Sequence, residues 1–208
     1  MADISLPYFF ARPAASPPWP GIVVIHEGNG ISPQLLRLCQ RLAGEGFAAV
    51  APDLFFRAGG TEAGGFAELI GSLDPDQTLA DVATAADVLR AAGATGIGIT
   101  GFCMGGLMTY RSAKAVPGLD GAVGFYGAGI SRELGTPACP TLLFFGGDDP
   151  WISQDDIAAV VAHHPSTVVY PAATHGFMRD GSDTYDATAA AEAWKLTLAF
   201  FHEHLAGT

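Results

Sequence analysis

The chain has 208 residues, of which 49% are hydrophobic and 15% charged, enough for one large domain with a sizeable core and inconsistent with a disordered chain. Its formal net charge of −11 argues against non-specific binding to nucleic acid or an anionic membrane, although local arginines can still hold an anionic small molecule. Three cysteines, Cys39, Cys103 and Cys139, with no CxxC spacing, make neither a disulfide framework nor a zinc site.

In chain order, Met1 to Pro7 lacks the basic start and long apolar stretch of a signal peptide, and no run of 18 apolar residues suggests a membrane span. Residues 8–11 read as a short edge strand and the proline-rich residues 13–20 as a connector. Ile22-Val-Val-Ile-His-Glu27 is a continuous apolar run of the buried parallel type. After the turn Gly28-Asn-Gly30, Ser32-Pro33 supplies an N-cap and a first-turn proline for a helix ending near residues 44–46. Residues 47–52 are the next buried strand. The glycine-rich residues 53–73 read as a loop with room for one helical turn, placed to cap a site. Next come a helix over 76–92, a strand over 97–102 and a helix over 104–114. Further strands are expected at 121–126, 141–145 and 167–170, with helices at 155–163 and 186–204. This alternation predicts an α/β fold with a mainly parallel sheet covered on both faces. With no repeat, charge block or linker in view, one domain over residues 1–208 is expected.

Ile97-Gly-Ile-Thr-Gly101-Phe-Cys103-Met-Gly105-Gly106 ends an apolar run in Gly-x-Cys-x-Gly and opens a helix. This is the nucleophile elbow of the α/β-hydrolases, Gly-x-Ser-x-Gly, with cysteine for serine. The glycines give room for a sharp, strained turn, and the helix N-terminus favours a thiolate and the oxyanion formed by its attack. The plain alternative, a buried core cysteine, is outweighed by the partners that stand downstream of it in the chain. Phe144-Phe-Gly-Gly-Asp148-Asp149 puts two carboxylates at a strand end, and Asp149 fits Gly-x-x-Asp-x-x-Ile counted from Gly146. Thr174-His175-Gly176 follows a later strand, so nucleophile, acid and histidine come in α/β-hydrolase order. Among the other histidines, His163 and His164 end a helix, His202 and His204 lie on the last helix surface, and His26 reads as a packed core residue. Glu27, a carboxylate at the end of a buried strand, reads as functional because its loop is placed to give the second oxyanion-hole N–H. A literal Gly96-x-Gly98-x-x-Gly101 fails as a dinucleotide site, because its glycines start the strand instead of following it.

Together the elbow, the strand-end His26-Glu27, Ala51-Pro-Asp53-Leu-Phe-Phe-Arg57, Gly146-Gly-Asp-Asp149, His175-Gly-Phe177 and Tyr8-Phe-Phe-Ala-Arg-Pro13 resemble the dienelactone hydrolase family over nearly the whole chain. The resemblance implies the α/β-hydrolase fold and a Cys103-His175-Asp149 triad. It also implies Glu27 in contact with the resting thiol, Gly28 and Met104 amides as oxyanion hole, and Arg57 and Arg179 gripping a substrate carboxylate. Surface or salt-bridging roles are the alternative for both arginines. Gly28-Asn-Gly30 replaces the family's bulkier residues, so a roomier site floor is expected. The short N-terminal region leaves room for fewer edge strands, and the insert at 59–71 is distinctive.

A thiolate attacking an acyl carbon is expelled again unless the other leaving group is good, so an activated ester or lactone is expected as substrate, in place of a simple alkyl ester. A thioesterase or general carboxylesterase is the alternative enzyme; a non-catalytic scaffold or thiol redox sensor lies further off. No metal-ligand spacing is visible, so no cofactor is expected; monomer and homodimer stay open, and the need for a reduced thiol points to the cytoplasm.

Overall fold

A computed structural model describes residues 6–205 of the chain; residues 1–5, part of the segment read above as carrying no leader, lie outside it. Strands β1 (Tyr8–Ala11), β2 (Trp19–Ile25), β3 (Ala48–Pro52), β4 (Ala94–Phe102), β5 (Gly121–Phe125), β6 (Thr141–Gly146) and β7 (Val168–Tyr170) form one sheet in the order β1-β3-β2-β4-β5-β6-β7. β1 runs antiparallel to β3, and every other neighbouring pair is parallel. The helices are α1 (Pro33–Gly44), α2 (Phe66–Gly71), α3 (Pro75–Ala91), α4 (Met104–Ala115), α5 (Gln154–His163) and α6 (Ala187–Leu205). This is the mainly parallel α/β-hydrolase architecture.

The apolar run of β2 is continuous because both of its faces are covered. Ile22 and Val24 join one buried cluster with Leu35 and Leu42 of α1 and Trp194 and Phe201 of α6. Val23 and Ile25 join the other, with Val82 and Leu89 of α3 and Met104 and Met108 of α4. Helix starts follow their caps: Ser32 accepts from the Leu35 amide at 3.2 Å and Asp74 from the Gln77 amide at 2.8 Å.

Two expectations are corrected. β2 begins at Trp19, inside the stretch read as a connector, since Trp19 is buried and pairs with Ala94. Residues 53–73 hold more helix than expected: single 3-10 turns at Phe56–Ala58 and Thr61–Ala63, then α2. Gly59 and Gly60, both at positive φ, interrupt the periodicity that would have revealed these turns.

Moving out from β2, the sheet passes to β3 on one side and β4 on the other. The chain segments leaving β2 and β4 therefore part at their carboxyl ends and open a crevice, the usual ligand position in such sheets. Ile25 pairs with Gly101, so the residues just beyond, Glu27 and Gly28 on one side and Cys103 on the other, come together there.

Candidate active site

Cys103 stands at the turn between β4 and α4 with φ 55° and ψ −119°. Holding a non-glycine residue there costs about 1–3 kcal/mol. The flanking glycines are required by contact: a Cβ on Gly101 would lie 2.6 Å from the Gly105 carbonyl carbon, and one on Gly105 would lie 2.6 Å from the carbonyl oxygens of Ile25 and His26. The Cys103 amide donates to Phe125 of β5 at 3.0 Å, and its carbonyl accepts from Gly106 at 2.9 Å, pinning the turn at both ends. Met104 is the first residue of α4, where helix geometry leaves N–H groups without a helical acceptor.

His175 follows β7, and Asp149 follows β6. The His175 Nδ1–H donates to Asp149 Oδ2 at 2.7 Å, and Asp149 Oδ1 accepts from the Trp151 amide at 2.8 Å. Asp149 is buried while Asp148 is exposed, which separates the two carboxylates that the sequence offered together. The far ring nitrogen, His175 Nε2, is buried with no hydrogen-bond partner. Burial disfavours the imidazolium, but the Asp149 hydrogen bond and the neighbouring Cys103 thiol outweigh it and raise the His175 pKa to about 9. Trp151 stacks on the imidazole at 4.9 Å between ring centroids and 19° between planes, and the Tyr126 ring flanks it at 4.9 Å.

Glu27 is aimed by its neighbour. His26 is fully buried, in contact with its own main chain through Nδ1 and the Glu27 carbonyl at 2.6 Å, and its Nε2 accepts from the Leu54 amide at 3.1 Å. It is thus the packed core residue expected, and it ties the end of β2 to the exit of β3. The Glu27 carboxylate, expected against the thiol, lines the same cavity as Cys103 and is held by two donors. Oε1 accepts from the buried Tyr126 hydroxyl at 3.1 Å, and Oε2 accepts from Arg179 Nε at 2.8 Å and the Arg179 terminal nitrogen at 2.7 Å. A carboxylate this buried is satisfied by the two donors together.

Arg57 is a correction of another kind. Its two terminal nitrogens donate to Asp81 of α3 at 2.5 and 2.8 Å, and it lines neither cavity that borders Cys103. The pair ties the 3-10 turn at Phe56–Ala58 to α3. Asp81 is buried, so it needs this cation, and the salt-bridging alternative describes Arg57 better than a substrate grip.

Cys103 borders two cavities. One, of about 320 Å³, is lined by Glu27, Gly28, Thr174, His175, Arg179 and Thr184, among others. The other, of about 310 Å³, lies beneath α2 and includes Met104 on its wall. Phe66 and Trp151 border both and meet edge to face at 5.7 Å. The roomier floor expected from Gly28 is not found, because Phe66 takes the space: a Cβ on Gly28 would lie 2.6 Å from Phe66 Cδ2 and 2.9 Å from Cζ. Phe66, Trp151 and Tyr126 were not read from the sequence as site residues. The one signal available for Tyr126 was its position at the end of a buried strand, beside the elbow's own strand. Among the described residues, no three His, Cys, Asp or Glu side chains gather as a metal site would require, and no helix is long and apolar enough to cross a membrane.

A family model described as the dienelactone hydrolase family matches residues 6–205. An Escherichia coli (strain K12) protein named "Putative carboxymethylenebutenolidase" is 30% identical, the alignment covering 96% of this chain and 83% of that protein. Among solved structures, a "Putative Dienelactone Hydrolase" from Klebsiella pneumoniae subsp. pneumoniae is 32% identical with a TM-score of 0.85, covering 95% of this chain and 93% of that one. A dienelactone hydrolase-like promiscuous phosphotriesterase from metagenomic libraries is 27% identical with a TM-score of 0.78, covering 95% and 92%.

Proposed function

The chain belongs to the dienelactone hydrolase family, and on that premise we propose that it hydrolyses activated esters or enol lactones through Cys103 as nucleophile, His175 as base and Asp149 as the group that orients the base. The observation that carries this reading is the disposition of His175. One ring nitrogen is fixed on a buried carboxylate and the other is left unpartnered beside a thiol on a strained turn.

With Asp149 holding Nδ1–H, Nε2 is free to take the thiol proton. With a pKa of about 9, His175 is basic enough to hold such a proton at neutral pH. The thiolate attacks the acyl carbon, and the carbonyl electron pair moves to oxygen, where the Met104 and Gly28 amides receive it. Collapse expels the leaving group with the proton from His175. Water, deprotonated by His175, then cleaves the thioester and returns the thiolate. Enols, phenols and thiols leave well enough to compete with Cys103; simple alkoxides do not, and their adducts revert. An anionic group entering the cavity beside His175 meets Arg179 and competes with Glu27 for it, which supports a carboxylated substrate.

A thioesterase would use the same groups, and retention of activity in Arg179→Gln on uncharged thioesters alone would favour it. The redox-sensor reading has less support. Burial pushes the Cys39 and Cys139 thiols up to about 12 and about 11, so neither offers a resolving thiolate at neutral pH. The test is ultraviolet-monitored hydrolysis of a carboxylated dienelactone by the wild type and Cys103→Ala. Turnover lost in the variant supports the reading; a folded wild type without turnover overturns the dienelactone substrate.

A further inference from the structure

We propose that the cavity beneath α2 is an acyl pocket, which takes an apolar arm, an alkyl chain or an aryl ring, of the ester whose carbonyl Cys103 attacks. The proposal rests on the hydrolytic reading above and adds the substrate's shape to it.

The two cavities that meet at Cys103 are both mostly apolar and share the Phe66 and Trp151 rim; they differ in the other side chains that line them. One presents Glu27, Thr174, His175 and Arg179 beside Pro150 and Trp151. The other presents Ile70, Leu73, Met104, Leu107, Met108 and Ala128. Besides Cys103 and the rim indole of Trp151, two polar side chains reach its wall, and each already holds a partner. Thr78 Oγ1 donates to the Asp74 carbonyl at 2.8 Å, and Arg111 is paired with Glu133, its Nε donating at 2.7 Å. A polar arm would therefore lose its water and compete for groups already engaged, whereas an apolar arm gains burial at no such cost. Phe66 and Trp151, which are 45% and 59% exposed, form the rim and would be partly covered by the bound arm.

The direction of the substrate follows from proton transfer. The leaving atom must receive the His175 proton, and His175 lies on the wall of the cavity that Arg179 lines and not on that of the one beneath α2. The leaving group therefore departs on the Arg179 side, and the acyl arm, on the other side of the carbonyl carbon, lies beneath α2. Attack forms the C–S bond; collapse breaks the bond between acyl carbon and leaving oxygen, which departs with its electron pair and the His175 proton. Water then supplies the hydroxyl of the released acid, so ester and water give acid and alcohol.

The experiment compares p-nitrophenyl acetate, butyrate and hexanoate on the wild type, Leu73→Trp, Ile70→Trp and Cys103→Ala. In the wild type, kcat/KM is expected to rise about threefold to fourfold per added methylene. In either tryptophan variant the ratio of hexanoate to acetate collapses toward one. In parallel, intact-mass kinetics follow alkylation of Cys103 by N-alkyl iodoacetamides of increasing length, which needs no turnover. A rate that climbs with chain length in the wild type and not in the tryptophan variants supports the pocket. Chain-length profiles that are flat in both assays, or unchanged in both variants, overturn it. Graded alkylation without any hydrolysis would keep the apolar pocket and overturn the hydrolytic reading on which its acyl role depends.

Discussion

Phe66 lays its ring over Gly28, in the space that a side chain at that position would need. The residue proposed to donate an oxyanion-hole N–H is thereby locked under the first residue of α2, and the insert becomes part of the site. Gly28→Ala forces the ring or the loop to move. A displacement near 1 Å at such a donor costs about a hundredfold in rate, and that loss in kcat is expected with p-nitrophenyl acetate. The double variant Gly28→Ala/Phe66→Ala is expected to recover most of it. Equal losses in both variants would show that the clash is not the cause.

The His175 pKa predicts a pH signature. It is raised from 6.5 to about 9 in the folded protein, so its contribution to stability is fully present below about pH 6.5 and is lost as pH climbs through about 9. The thermal midpoint of the wild type is expected to fall across that interval. His175→Gln is expected to flatten this part of the curve, and an equally steep fall in the variant would assign the effect to other groups.

Asp149→Asn keeps the shape of the acid but reverses what Nδ1 meets, since the amide nitrogen can present a donor where a carboxylate accepted. The wrong tautomer then turns Nε2 from acceptor to donor. Loss of kcat by about two to four orders of magnitude is expected, with KM little changed. Steady-state kinetics on one activated ester decide it.

Arg179 and Arg57 are expected to part company. Arg179→Gln leaves the Glu27 carboxylate with Tyr126 alone. Because the Arg179 side chain is 32% exposed, the destabilisation should stay below the roughly 3–5 kcal/mol of a fully buried broken pair. KM for a carboxylated ester rises. Arg57→Ala leaves Asp81 with Gln77 at 3.2 Å and is expected to cost about 1–3 kcal/mol, without the rise in KM. Denaturant melts and KM for matched charged and uncharged esters distinguish the two; a rise in KM for Arg57→Ala alone would restore the substrate grip to Arg57.

Much of this site could be read one segment at a time. Gly101 and Gly105 announce a turn too tight for side chains, and the order Cys103, Asp149, His175 along the chain matches three strand ends met in turn. Local signals stop where partners are distant in sequence. Arg57 meets Asp81 24 residues on, and Glu27 meets Arg179 152 residues on; nothing near either residue states which cation will find which carboxylate. Phe66 lies in a glycine-broken stretch with no periodicity, so one helical turn could be expected there but neither the bounds of α2 nor the ring's place over Gly28. Nothing beside Trp151 announces its stack, because the histidine it meets comes only after α5 and β7.

That stack makes the indole of Trp151 a neighbour of the proposed base. A protonated imidazole in face contact drains the excited state of an indole, and a neutral one does so far less. Trp151 emission is thus expected to brighten as pH passes through about 9, while Trp19 and Trp194, buried away from His175, supply a steady background. The molecule carries an unlabelled optical gauge of the charge on His175, readable before any substrate is known.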